Sequence, residues 1–65
     1  MPRIDLTVKL IGEDGNIFNL IGLVRNAMYR ASVPREQILE FQKEVILSES
    51  HDEALSKIQE WVNVE

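Results

Sequence analysis

Leu10-Ile11-Gly12-Glu13-Asp14-Gly15-Asn16-Ile17-Phe18-Asn19-Leu20-Ile21-Gly22 is the stretch in which the apolar pattern of this chain changes its period. Upstream of it, Ile4, Leu6, Val8 and Leu10 alternate with Asp5, Thr7 and Lys9, so one face of an extended segment is apolar and the other mostly polar. Downstream, apolar residues recur at helical spacing. Gly12 and Asp14-Gly15 break the strand, because glycine reaches positive φ without a Cβ clash, and Asn16 is placed to cap the helix that follows. The segment therefore redirects the backbone, and its reading is architectural.

The first helix is expected from about Ile17 to Ala31. At about 100° per residue, Ile17, Leu20, Ile21, Val24, Ala27, Met28 and Ala31 share a broad stripe, opposite Asn19, Asn26 and Arg30. Phe18, Gly22 and Tyr29 fall on a flanking side, and Leu23 near the polar face reads as an exposed apolar residue. Glycine in mid-helix is less favourable than alanine by roughly 1 kcal/mol. The reading therefore expects another backbone or a bulky side chain against Gly22.

Pro34 suits the first position of a second helix and Glu36 its first turn, with the helix running to about Leu47. Ile38, Leu39, Phe41, Val45 and Ile46 make its expected apolar stripe, and Glu40, Lys43 and Glu44 look outward. Ser50-His51-Asp52-Glu53 has the spacing of a capping box opening a third helix, with Ala54, Leu55, Ile58 and Trp61 inward. Trp61-Val62-Asn63-Val64-Glu65 alternates again and reads as a strand that pairs with residues 4–10. The expected fold is α+β, in the order β-α-α-α-β, with three helices forming the core and the N- and C-terminal segments a small two-stranded sheet. Residues 1–65 read as one small domain.

Composition narrows the function classes. A chain of 65 residues has one thin core, and with no cysteine and a single histidine it has neither a disulfide nor a thiolate or imidazole metal cluster to staple it. Tight helix packing and self-association are what remain. No apolar run approaches the roughly 20 residues of a membrane helix, and Met1-Pro2-Arg3-Ile4-Asp5 has no signal-peptide apolar region, so the expectation is a cytoplasmic chain that does not enter a membrane. Net charge is −4, unevenly spread. Residues 1–35 hold five basic against three acidic side chains, a net of +2, whereas residues 36–65 hold two against eight, a net of −6. Halves of opposite sign attract within one molecule or between copies.

Candidate chemistry is sparse. Glu13, Asp14 and Asn16 offer oxygen ligands, but their spacing departs from a calcium loop, which needs alternating ligands and a distant bidentate glutamate. The same segment lacks the length and Lys-Ser/Thr ending of a phosphate loop. His51 lies next to Ser50 and near Ser48, yet capping accounts for that arrangement, and no oxyanion hole or orienting third group is apparent. The expectation is a non-enzyme with no metal and no cofactor.

Arg25, Arg30 and Arg35, with Arg3, offer a basic strip for phosphates, and Tyr29 a stacking surface. The acidic total and the lack of a helix-turn-helix or RNA-binding aromatic motif place nucleic acid second as a partner. A two-stranded ribbon leaves unpaired N–H and C=O groups at its edges, so the first strand is a docking edge for a second copy or a partner peptide. The leading expectation is a protein-interaction module or small adaptor, homodimeric or partner-bound, using that edge and the side that carries Phe18, Gly22, Tyr29 and Leu23.

The block Val8–Gly22 and the closing Trp61-Val62-Asn63-Val64-Glu65 resemble a group of short uncharacterised bacterial and phage-borne proteins. These share a strand, an Asp-Gly-Asn-x-Phe turn into a helix, a mid-helix glycine and a Trp-Val ending. The resemblance implies association with bacterial or mobile-element genomes and brings no activity, cofactor or catalytic residue. For the nucleic-acid reading, it suggests a regulator of a phage or mobile element.

Overall fold

The computed structural model describes residues 2–65. Met1, which opens the segment read for a leader, lies outside the described residues. The elements run β1 (Thr7–Val8), α1 (Ile17–Arg30), α2 (Arg35–Ile46), α3 (His51–Trp61) and β2 (Asn63–Val64). The two strands pair in parallel, Thr7 with Asn63 and Val8 with Val64. Parallel pairing needs a long crossover, and here all three helices supply it.

The alternation upstream of Gly12 is present in burial: Val8 is buried, Ile4, Leu6 and Leu10 are half-buried, and Asp5, Thr7 and Lys9 are exposed. Regular strand geometry is shorter than residues 4–10 because the chain bends at its start, where the Leu6 amide donates to the Ile4 carbonyl at 2.8 Å. The ribbon continues beyond the ladder through single bonds. The Arg3 and Ile4 amides donate to Glu60 and Trp61, and the Leu10 and Ile11 amides both donate to Glu65.

The turn into α1 closes on itself. Gly12 takes φ +89°, a backbone setting that glycine reaches without strain. Asn16 caps α1 by accepting from the Phe18 amide at 2.9 Å, the Asp14 carboxylate accepts from the Asn16 amide at 3.1 Å, and the Asn19 side-chain amide donates to the Asp14 carbonyl at 3.0 Å. At its other end, Ser32 donates to the Tyr29 carbonyl and Val33 to the Met28 carbonyl. This is the paired closure of a Schellman motif, with Ser32 at φ +60° where glycine is usual.

One core joins Val8 from β1, Leu20, Ile21, Val24 and Met28 from α1, Ile38, Phe41 and Val45 from α2, Ala54, Ile58 and Trp61 from α3 and Val62 just after it, with the partly buried Val64 of β2 packed against them. Phe41 and Trp61 meet edge to face, ring centroids 5.9 Å apart at 77°. Several expectations shift. Ala31 is exposed at the end of α1, past the last turn that packs. Leu23 is half-buried and packs on the core, since a bundle this thin draws in side chains from the flank of the stripe. Leu39 and Ile46 are exposed, because α2 buries the narrower line Ile38, Phe41 and Val45 and leaves residues one step further round outside it.

Pro34 is the N-cap of α2, one position before the expected one. Glu44 turns partly inward, where its carboxylate receives Arg3 and the Trp61 indole N–H. Ser50 caps α3 by accepting from the Glu53 amide at 3.1 Å, but Glu53 reaches back to the Glu49 amide, one residue beyond the reciprocal partner of a capping box. Trp61 belongs to α3, and the backbone turns extended only at Val62, whose φ is −140°.

Candidate functional site

The outer edge of β1 is defined by the bonding on its inner one. The Asn63 amide donates to the Leu6 carbonyl and the Glu65 amide to the Val8 carbonyl, so the even residues of the strand turn their backbone groups toward β2. Successive residues of a strand face opposite edges. The N–H and C=O of Thr7 and Lys9 therefore point away from β2, and they have no backbone partner among the described residues. The side chains of Asp5, Thr7 and Lys9 are exposed along the same line.

Exposed apolar side chains cluster by element. On α1, Phe18 is 69% exposed and Tyr29 53%. Eleven residues of helix bring them back to within about 20° of each other and about 16 Å apart, with Gly22 and Arg25 between them on the same face. Nothing approaches within 4 Å of where a Cβ on Gly22 would sit, so the expected close neighbour is absent. Leu23 lies on the opposite flank and packs inward, apart from Phe18 and Tyr29. On α2, Leu39 and Ile46 are exposed seven residues apart, with Leu47 just beyond.

An open cleft of about 280 Å³ lies between the turn after β1, the start of α1 and one face of α3. Its walls are apolar, from Leu10, Ile11, Leu20, Leu55, Ile58 and Val64, and Glu13, His51 and Gln59 stand at its rim. His51 Nε2 lies 2.7 Å from the Gly15 carbonyl. A carbonyl only accepts, so Nε2 carries the proton and the ring ties the first turn to the start of α3. Sequence reading missed this cleft, because its walls come from the first turn, α1, α3 and β2, whose juxtaposition depends on the parallel closure of the ends.

The serines beside His51 are engaged elsewhere. Ser48 Oγ donates to the Glu44 carbonyl at 3.3 Å, and Ser50 Oγ is the α3 cap. Glu13 and Asp14 do not gather with other ligands, and among the described residues no group of three or more His, Asp or Glu side chains is arranged to hold a metal ion. No helix among the described residues is long and apolar enough to cross a membrane.

Arg25, Arg30 and Arg35 are all exposed and none forms an ion pair among the described residues, where the salt bridges are Arg3–Glu44 and Lys57–Glu60. Among the described residues these arginines do not pair with the acidic second half, and they stand as solvated side chains. Arg25 and Arg30, five residues apart on α1, point about 140° from one another. They do not share one face. No family model, curated protein or solved structure matches the chain.

Proposed function

We propose that this chain is a non-catalytic protein-interaction module that takes an extended segment of a partner onto the outer edge of β1. The observation that carries this reading is the outward backbone of Thr7 and Lys9, two N–H and C=O pairs without a backbone partner among the described residues. An unpaired edge is a template for a further strand, in which main-chain bonds supply affinity and alternate side chains supply selectivity. Phe18 and Tyr29 on α1 extend the same role to a second surface.

Site-specific photo-crosslinking in living cells tests the reading. A photoreactive residue at Thr7 should give a discrete adduct, while the same residue at Gln42, on a different part of the surface, should not. Adducts at Gln42 and none at Thr7 would overturn it.

A second reading, a small nucleic-acid-associated regulator, is favoured only by Arg25, Arg30 and Arg35, which are exposed and form no ion pair among the described residues. Three phosphate contacts would give a slope of about −2 to −3 in log affinity against log salt on duplex DNA. Binding that is undetectable at low salt removes it.

A further inference from the structure

We infer that a second copy of this chain pairs antiparallel with the outer edge of β1 about a two-fold axis at Thr7, joining two ribbons into one four-stranded sheet. This rests on the reading of β1 as a docking edge and names the partner and register. A two-fold axis that sets an edge against itself makes the contact isologous and the strands antiparallel. Residues directly opposite one another share a face, so the axis passes through a residue of the strand, and the side chains of Asp5, Thr7 and Lys9 decide among the registers.

Centred on Thr7, the pairing sets Thr7 against Thr7 of the second copy and Asp5 against its Lys9, twice over by symmetry. Centred on Asp5 or Lys9, it opposes two like charges at the axis. Centred on Leu6 or Val8, it sets a charge against a threonine. Opposite charges directly across two strands are favourable and like charges unfavourable, so only the Thr7 register satisfies both ends of the edge. The backbone agrees. Thr7 faces outward, so the central pair exchanges two N–H···O=C bonds, and Lys9 continues the same outward orientation. The tight turn at Asp5, marked by the Leu6 amide on the Ile4 carbonyl, leaves that residue to act through its carboxylate.

Asp5 and Lys9 are also available for the role. Both are exposed, and neither takes part in a salt bridge among the described residues. On the opposite face of the ribbon, Leu6 and Leu10 are only half-buried, and pairing would set Leu6 against Val8 and Leu10 against Ile4 of the second copy and extend the apolar layer over the helices. The contact is narrow compared with the roughly 1,600 Å² of a standard stable interface, so the dimer is weak and salt-sensitive.

A charge-swap series measured by sedimentation at rising concentration decides it. Asp5→Lys alone sets lysine against Lys9, and Lys9→Asp alone sets aspartate against Asp5, so each variant should dimerise at least about tenfold more weakly than the parent. Mixing the two variants restores both opposite-charge pairs, and the mixture should form a heterodimer of about parental strength. Protection of the Thr7 amide from hydrogen exchange should rise with protein concentration in the parent. A parent chain that stays monomeric at millimolar concentration overturns the inference, as does a dimer indifferent to both swaps. An adduct from Thr7 to a different protein would then leave the edge-docking reading standing while this partner falls.

Discussion

The Arg3 guanidinium lies 4.3 Å from the centroid of the Trp61 ring and donates at 3.1 Å to Glu44, whose carboxylate also accepts from the Trp61 indole N–H at 3.4 Å. Three elements meet in this contact: the segment before β1, α2 and the end of α3. It fastens the start of the chain where the Ile4 amide donates to the Trp61 carbonyl. Because Arg3 is about half exposed, the stacking and the ion pair are each worth less than about 1 kcal/mol.

Arg3→Ala should lower stability by about 1 kcal/mol in a urea titration followed by Trp61 fluorescence. Arg3→Lys should recover less than half of that loss, since an ammonium neither stacks nor bonds a carboxylate in two places as guanidinium does. Faster hydrogen exchange at the Ile4 amide should accompany both changes, and unchanged exchange there would show that the stack does not hold the segment.

Gly22→Ala is expected to stabilise the protein. A methyl group at this position meets nothing within 4 Å, and the residue lies within α1. With no steric cost to offset it, the helix propensity gain of roughly 0.5–1 kcal/mol should appear in full in the unfolding midpoint. A loss of stability would mean that some other conformation brings a neighbour onto this face.

Ser32→Gly acts at the far end of the same helix. Ser32 sits at φ +60°, where a residue other than glycine is strained by about 1–2 kcal/mol. Its amide still donates to Tyr29, so the substitution keeps the Schellman bonds and removes the strain. Glycine also has more freedom to lose on folding, which leaves a net gain of about 1 kcal/mol. Differential scanning calorimetry reads it as a higher melting temperature, and no rise would place the strain elsewhere.

Local signals in the sequence carry most of the element order. Asn16 and Ser50 cap where their spacing predicts, and the alternation of Ile4, Leu6, Val8 and Leu10 survives in burial even though only Thr7–Val8 has regular strand geometry. The departures arise where a neighbour from a distant part of the chain decides the outcome. Leu39 and Leu23 have similar apolar character, yet packing leaves the first exposed and draws the second in. Glu44 reads as a solvated residue until Arg3 and Trp61 are folded against it. Of the candidate surfaces, the open edge of β1 is legible from the alternating pattern. The cleft beside His51 is not, because it depends on the parallel polarity of β2.

Phe41 is the middle residue of the line that α2 buries. It is fully buried, meets the Trp61 ring edge to face, and is flanked by Ile38 and Val45 in the line that α2 buries. Truncating a buried phenylalanine to alanine typically costs about 3–5 kcal/mol. A chain of this size has total stability of about 3–10 kcal/mol, so Phe41→Ala should consume much or all of it. Phe41→Leu, which keeps most of the volume, should remain folded with a lower midpoint. Trp61 leads directly into Val62 and β2, whose Asn63 and Glu65 amides donate to β1. Those two amides should therefore lose their exchange protection in step with the core amides of α2 as Phe41 is truncated. Retention of their protection in a destabilised Phe41→Leu protein would show that the ribbon is held independently of the aromatic pair.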